Sequence, residues 1–383
     1  MRTRMSRLAL AAGAAALSLT IFSAVPAGAA AGTSLAGAGS DTTYWMMSAI
    51  GAKYNTTATA SLGDVTTQIP PNNIAPFPAS VTVPGDPIQP AGFTWNSVDA
   101  AHKPPDGSSA GISKLNGDTT SDVDWARSSR GPNPGETGSL QFWAYALGAV
   151  DAVKFPGSNQ PAKLTQQNLI DIYSCSASTH KPAVTNWKQI GGKSGAIVKY
   201  APQAGSGTLS FFQTKLLGGH TVDQNCNSTH LSTRLEEHDA RGVVSNLPNA
   251  IYMYDWARWR AQSNKFEADL RNGSSLAAFG VTAAKAVIPG IKNVNETKKR
   301  FYGTRYVNNV NRKANHPAIF TSQTSSLLRL FGVKPAANGG AGFICSGKAN
   351  NIIRKAGFIP LAKFPTGGAG LPSSVCRLNP KPL

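Results

Sequence analysis

Two hydrophobic periods alternate along the chain. Leu209, Phe212 and Leu216 recur at helical spacing and predict a helix over 208–217. Leu169, Ile172 and Tyr173 predict another over 164–173, and helices are expected over 321–331 and 349–355. Short apolar runs bounded by Gly, Pro and polar residues predict strands over 122–126, 149–155, 196–201 and 305–310. Alternation of this kind predicts an α/β fold, a sheet with helices on both faces. The stretch 65–105 breaks the pattern, with nine Pro in 41 residues. Central strands and helices do not tolerate that density. It reads as a Pro-rich surface excursion with one short strand near 79–83.

The first residues follow a different logic. Arg2, Arg4 and Arg7 precede an uncharged apolar run, Leu8 to Val25, and then Ala27-Gly28-Ala29. That order is expected of a secretory signal peptide over residues 1–29. No Cys follows it to carry a lipid anchor, and no later run is long and apolar enough to span a membrane. The expected location is secreted, extracellular or associated with the cell wall.

Composition narrows the class. The 383 residues include 38 Gly and 25 Pro, too few for a low-complexity chain, and show no coiled-coil or collagen period. Charged residues make up 15%, against about a quarter in ordinary domains. Lys and Arg number 37 against 19 Asp and Glu, a net +18, or +15 once the three leader arginines are removed. A polar, sparsely charged surface with a positive bias suits a small anion. Lys298-Lys299-Arg300 is too short a basic run to mark nucleic-acid binding, so no nucleic-acid partner is expected. Outside the cytosol disulfides are allowed. Cys175, Cys226, Cys345 and Cys376 permit three pairings; Cys175–Cys226 with Cys345–Cys376 closes the shortest loops.

Four short segments carry the candidate chemistry. Gly37-Ala38-Gly39-Ser40-Asp41-Thr42-Thr43 leads into a helix near Tyr44; its glycines let backbone approach a ligand, and Asp41 or Thr42 is a capping candidate. Gly107-Ser108-Ser109-Ala110-Gly111-Ile112 clusters hydroxyls and N–H groups before a short helix expected at 113–115. Gly205-Ser206-Gly207-Thr208 joins an expected strand to an expected helix and offers N–H groups and hydroxyls to an anion. It has neither the Lys of a Walker A loop nor the spacing of a nucleophile elbow. Finally, Arg127-Ser128-Ser129-Arg130 ends an expected strand, with two Ser between two Arg, and guanidinium forks suit oxyanions.

In their order these segments resemble the substrate-binding proteins of ABC phosphate importers, in a secreted actinobacterial-like branch. The resemblance rests on Gly37-Ala38-Gly39, Gly107 to Ile112, Asp124 to Ser129, the Pro-Gly run ending at Gly157, and Gly205 to Thr208. It covers most of residues 33–270. It implies a two-lobed type II periplasmic-binding fold whose cleft takes a dehydrated phosphate between lobes. Lobe 1 would be residues 33–150 plus 310–383 and lobe 2 residues 151–309, with crossing strands near 149–155 and 304–310. Carried over, the ligand-binding residues are Asp41, Thr42, Ser108, Ser206, Gly207 and Thr208, to which the residues themselves add Ser109, Arg127, Ser128, Ser129 and Arg130. Two departures stand out. The family's Asp that accepts from a protonated phosphate falls on Ser129, and its Arg falls on Pro202. Asp41 is the expected replacement carboxylate, and Arg127 or Arg130 the expected cation.

Other groupings weigh less. His220, Asp223, Cys226 and His230 have metal-ligand spacing, but Gly218-Gly219 and a disulfide Cys argue for a loop. Glu236-Glu237-His238-Asp239 lies near the cleft by the resemblance, or forms an acidic helix N-terminus. Tyr252, Tyr254, Trp256, Arg258, Trp259 and Arg260 read as one helix packed on the core. The expectation is a non-enzymatic monomer without cofactor or metal. It would capture phosphate, or a similar oxyanion, for an ABC permease. The alternatives are a phosphate-ester hydrolase on the same fold, which no nucleophile or metal motif supports, and an extracellular polyanion binder.

Overall fold

The structure is a computed structural model. It describes residues 35–61, 74–76, 105, 107–117, 123–175, 183–223, 234–313, 327, 330–331, 342–362, 376–381 and 383. The expected leader, most of the Pro-rich excursion with its strand near 79–83, most of the helix expected over 321–331, Cys226 and His230 lie outside these residues.

The first half of the described chain contains β1 (Leu35–Gly39), α1 (Tyr44–Ser61), β2 (Ile74–Pro76), α2 (Ser108–Gly117), β3 (Trp125–Ser128) and β4 (Leu140–Lys154). Then come β5 (Lys163–Thr165), α3 (Gln166–Tyr173), β6 (Val198–Lys199), β7 (Ala201–Pro202), α4 (Gly207–Phe211) and β8 (Arg234–Leu235). The remainder holds β9 (Ala250–Asp255), α5 (Trp256–Ser263), β10 (Ser275–Leu276), β11 (Ala278–Gly280), α6 (Ile291–Asn295) and β12 (Thr304–Arg312), followed by the helix Asn350–Lys355. The expected α/β architecture is present.

One sheet runs β2-β1-β3-β12-β4-β9-β6. β1 is parallel to both β2 and β3, whereas β12 is antiparallel to β3 and β4. β4 is the organising strand. It pairs with β12 from Leu140↔Arg312 to Ala149↔Thr304, and from Val150 it pairs with β9. It therefore carries the sheet from one half of the molecule into the other. The register slips between Val307 and Asn308, a β-bulge that bends the pair at mid-length. Nearly every β4 side chain is buried, because both faces are covered. A strand covered on both faces has no alternation, so periodicity found only its last residues (149–155) and missed Leu140–Gly148.

Two apolar clusters flank the sheet. Ala38, Ile112, Leu115, Phe142 and Val310 form a small one beneath α2. A larger one gathers around Tyr173, Trp187, Phe212 and Trp256. Two of the buried indoles in the larger cluster are paired: Trp187 Nε1 donates to the Asn249 carbonyl at 3.1 Å and Trp256 Nε1 to that of Pro289 at 3.2 Å.

Several expected elements are corrected. α2 starts at Ser108, so Ser108 and Ser109 form the first turn of a helix rather than a loop before one. The segment 196–201 divides into β6 and β7 around Tyr200. The helix expected over 208–217 is α4 followed by a π-helical turn, Phe212–Leu216. The aromatic stretch from Tyr252 is a strand and then a helix, because the Asp255 carboxylate caps α5 by accepting from the Arg258 N–H at 2.8 Å. Residues 236–240 form turns rather than an acidic helix start. Cys345 and Cys376 are bonded, with Cα atoms 5.1 Å apart, and Cys175 is also in a disulfide.

Candidate functional site

The ends of β1 and β3, the start of α2 and the start of α4 meet at one place, and small residues make the meeting close. Gly39 has φ +110, a conformation that favours glycine. A Cβ on Gly111 would lie 2.4 Å from the Gly39 Cα, so α2 rests directly on β1. A Cβ on Gly107 would lie 2.4 Å from the Gly205 carbonyl oxygen, and the Ser109 N–H donates to that oxygen at 2.9 Å. The second and third loops thus touch backbone to backbone.

Five of the expected ligand-binding residues converge there. Ser108 Oγ and Ser129 Oγ are 3.2 Å apart, and the Ser129 N–H donates to Ser108 Oγ at 2.9 Å. A Cβ on Gly207 would come within 2.2 Å of the first hydroxyl and 2.5 Å of the second. Only glycine at 207 lets α4 approach both. Ser206 caps α4, its Oγ accepting from the N–H groups of Thr208 and Leu209 at 3.0 and 3.3 Å. Ser108, Ser129, Ser206 and Thr208 are all buried.

The arginines expected to supply the cation have other partners. Arg127 is buried and donates to the carbonyls of Gly37, Gly39 and Ser40 at 2.7, 3.0 and 3.0 Å, with its guanidinium over the Tyr44 ring. It holds the first loop in shape. Arg130 forks onto Glu136 at 2.7 and 2.8 Å and reaches Ser109 Oγ at 3.0 Å. Ser128 Oγ is engaged with the Arg130 backbone at 2.8 Å.

A cation that sequence reasoning missed stands beside the hydroxyls. Arg305, near the start of β12, has a side chain 1% exposed. Its Nη2 donates to Thr208 Oγ1 at 2.8 Å and to Asp255 Oδ2 at 2.7 Å. Its Nε and Nη1 are buried and have no hydrogen-bond partner among the described residues. A buried guanidinium with two open donors can receive an oxyanion at little further desolvation cost. The available signal was an Arg placed among apolar and amide residues near the start of a strand, in a chain with few acids.

A second buried group lies on the opposite side of Ser206. Glu237 accepts from Thr42 Oγ1 and, at 2.8 Å, from Ser206 Oγ. Gln203 bridges Asp41 Oδ2 and Glu236 Oε2 at 3.1 and 2.6 Å, and His238 Nδ1 lies 3.4 Å from Asp41. Burial, and then the charge of Asp41, push the Glu237 pKa up to about 8. Burial also opposes ionisation of Asp41, but hydrogen bonds with Glu236 and His238 and the charge on His238 outweigh it and hold Asp41 well below the usual carboxylate range. At neutral pH Asp41 is therefore charged and Glu237 is protonated. Asp41, Glu236 and His238 also place three ligand atoms within 4.8 Å of one another, close enough for a metal ion. The Gln203 amide bridges two of those carboxylates, which favours a hydrogen-bonded cluster over a coordination site.

The expected residues are thus brought together in part. Ser108, Ser129, Ser206, Gly207 and Thr208 share the site with Arg305. Asp41 and Thr42 belong to the acid cluster, and Arg127, Ser128 and Arg130 buttress the loops. Ser109 joins the second loop to the third.

A family model described as PBP superfamily domain matches residues 96–332. A putative phosphate ABC transporter substrate-binding protein with bound phosphate from Clostridium perfringens is similar in fold, with 19% identity and a TM-score of 0.52; the match covers 86% of this chain and 99% of that one. An ABC-type phosphate transport receptor from Vibrio cholerae gives 17% identity and a TM-score of 0.51, covering 85% of this chain and 99% of that one. No curated protein matches the chain. Among the described residues no helix is long and apolar enough to cross a membrane. The matched residues make up more than half of the chain, and the chain belongs to the PBP superfamily.

Proposed function

We propose that the protein is a secreted solute-binding protein that captures an inorganic oxyanion, phosphate first, between two lobes. The observation that carries this reading is Arg305. It is a buried cation with two open donor nitrogens, hydrogen-bonded to Thr208 at the rim of a cradle formed by Ser108, Ser129 and Gly207. Thr208, Ser108 and Ser129 offer hydroxyls. An anion seated there would exchange its water for hydrogen bonds that are already oriented. The phosphate named in the titles of both similar structures supports that choice.

Lobe 1 would comprise residues 33–150 plus 310–383 and lobe 2 residues 151–309. Cross-contacts such as Ser109 N–H to the Gly205 carbonyl and Thr42 to Glu237 then describe the closed arrangement. Arg305 takes the place left by Pro202, whereas Glu237, protonated and engaged by Thr42 and Ser206, does not replace the accepting Asp that Ser129 lacks. An ABC permease is the partner this reading implies, with a monomer as the working form and residues 1–29 removed on secretion. Ser206 Oγ donates to Glu237, but that acid holds its proton at neutral pH and is no base, so capture rather than chemistry is the role this reading gives the site.

Isothermal titration calorimetry of residues 30–383, stripped of anion by partial unfolding and refolding, tests this. One-to-one phosphate binding, lost on substitution of Thr208 and Arg305, is the expected result. Comparable sulfate binding is expected, because Ser129 stands where the family has the Asp that accepts from a protonated phosphate. Absence of heat and of thermal shift with either anion would overturn the reading.

A further inference from the structure

Asp41 and Thr42 are held by four side chains from the other lobe of the division proposed above. Gln203 donates to Asp41 Oδ2 at 3.1 Å, and His238 Nδ1 lies 3.4 Å from the same oxygen. Thr42 Oγ1 is bonded to Glu237, and Arg258 Nη1 donates to the Asp41 carbonyl at 3.3 Å. These contacts stand next to the anion cradle. Ser206 Oγ donates to Glu237 at 2.8 Å, and Ser206 caps the helix that starts at Gly207.

The contact gathers more acids than cations. Asp41 and Glu237 are buried, and half-buried Glu236 is tied to Asp41 through the Gln203 amide. His238 is the imidazole that faces them. Arg258 reaches only the Asp41 carbonyl with Nη1, and its charge pairs with Glu267. From β9, the Tyr252 and Tyr254 hydroxyls donate to the carbonyls of Glu236 and His238, and the Asp255 N–H donates to that of Glu237. The Asp255 carboxylate is itself matched by Arg305, and Asp239 by Arg241.

Two buried carboxylates this close cannot both stay charged opposite one imidazole, so the closed arrangement holds a proton on one of them. Their partners decide which. The Gln203 amide and His238 favour a charged Asp41. Glu237 meets two hydroxyls, which serve a carboxyl with or without its proton. The proton therefore sits on Glu237, where burial and the charge of Asp41 raise the pKa to about 8. Separating the lobes removes both causes. Asp41 leaves with its own lobe, water reaches Glu237, and the carboxyl returns toward 4.5.

We propose that Glu237 is a proton-binding site coupled to the anion site: closing the lobes takes up one proton from solvent at Glu237, and losing it favours opening and release. The inference rests on the oxyanion reading and its lobe division. The closed form binds more protons than the open one. Anion affinity is therefore greatest at low pH and falls as pH rises from 4.5 toward about 8, by at most about tenfold per unit.

Calorimetry with sulfate tests this, because sulfate does not titrate in that window whereas phosphate does. Repeating the titration at about pH 6.5 in buffers of different ionisation enthalpy counts protons, and roughly one should be taken up per anion bound. Sulfate affinity should fall at least roughly tenfold between about pH 6 and about pH 8. Glu237→Gln fixes the neutral form, and should bind sulfate without that uptake and with a flat pH profile. Binding by the wild-type protein with no proton uptake overturns this inference and leaves the oxyanion reading standing. Uptake that persists in Glu237→Gln overturns it as well, because the proton then belongs to another group such as His238. If the variant does not fold, the wild-type proton count and pH slope still decide. Failure of both sulfate and phosphate to bind overturns the oxyanion reading, and this inference with it.

Discussion

Arg127 and Arg305 are both buried guanidinium groups on strands at the centre of the same sheet, and they are used in opposite ways. Arg127 spends its Nε, Nη1 and Nη2 on three carbonyls of the first loop and lies over Tyr44. Arg305 commits one nitrogen to Thr208 and Asp255 and keeps two without hydrogen-bond partners among the described residues. Burial alone therefore does not identify a ligand-binding cation. What identifies it is the number of donors left over after the fold has been satisfied. Arg127 is a hydrogen-bonding scaffold for irregular backbone, which would otherwise hold unpaired buried carbonyls. Arg305 is held in place by Asp255, and in the proposed function its remaining donors serve the anion.

Replacing Arg305 with Met gives the largest expected effect. Removing one partner of a buried charge contact costs about 4 kcal/mol in binding, roughly a thousandfold in Kd. Calorimetry with phosphate reads this directly, and a Kd within a few-fold of wild type would remove Arg305 from the site. Asp255 would then be buried without its cation, so the melting temperature should fall too. Arg305→Lys should recover part of both losses, since it restores the charge without the fork.

Arg127→Met should reverse the pattern. Three carbonyls lose charged donors, and the expected loss of stability is about 3 kcal/mol, read by urea unfolding. The protein that remains folded should bind phosphate within about threefold of wild type, because the two guanidinium groups share no partner. Strong loss of binding with intact stability would show that Arg127 faces the ligand after all.

The acid cluster sharpens the comparison from the other side, since it presents acids where Arg305 presents donors. Glu237 has a pKa raised from 4.5 to about 8 by burial and the charge of Asp41. A group raised on folding imposes no penalty below its unfolded pKa. Between 4.5 and about 8 the unfolded chain ionises while the folded protein keeps the proton. Stability should therefore fall as pH rises through that window, by at most about 1.4 kcal/mol per unit. Glu237→Gln keeps acceptor capacity toward Thr42 or Ser206 and should flatten this slope. Unfolding curves across the window test it, and equal slopes in variant and wild type would mean that another group titrates.

How much of this was legible in the sequence follows from the same contrast. The Gly-Ser-Gly-Thr loop was visible because glycine and hydroxyl residues there serve local geometry, and Ser206 does cap α4 as its position implies. The α/β alternation was visible for the same local reason. Arg305 was not, because its role depends on Thr208 and Asp255, which lie 97 and 50 residues away in the chain. Arg127 and Arg130 looked like anion ligands because they flank two serines, but strand pairing turns one toward the first loop's carbonyls and the other onto Glu136. β4 escaped periodicity along most of its length because both of its faces are covered. Adjacency along the chain identifies loops and caps; the identity of a buried partner needs the tertiary contacts.

Arg130 lies between the two extremes and provides the smallest test. Its charge is matched by a two-pronged pair with Glu136; the Arg130 side chain is 4% exposed and that of Glu136 21%, so the pair is worth about 1 to 2 kcal/mol. Glu136→Gln keeps one acceptor oxygen and should lower the melting temperature by roughly a few degrees. It would also release a positive charge at the wall of a cavity that Arg305 also lines. Association of an anion should then quicken by about two- to threefold at low salt, and the gain should shrink as the Debye length falls below about 8 Å. Stopped-flow mixing with phosphate over a salt series measures this. A gain that persists at high salt would mean that Arg130 contacts the anion directly and belongs with Arg305. A gain that vanishes would leave Arg130, like Arg127, as a support for the loops, acting on the ligand only through its field.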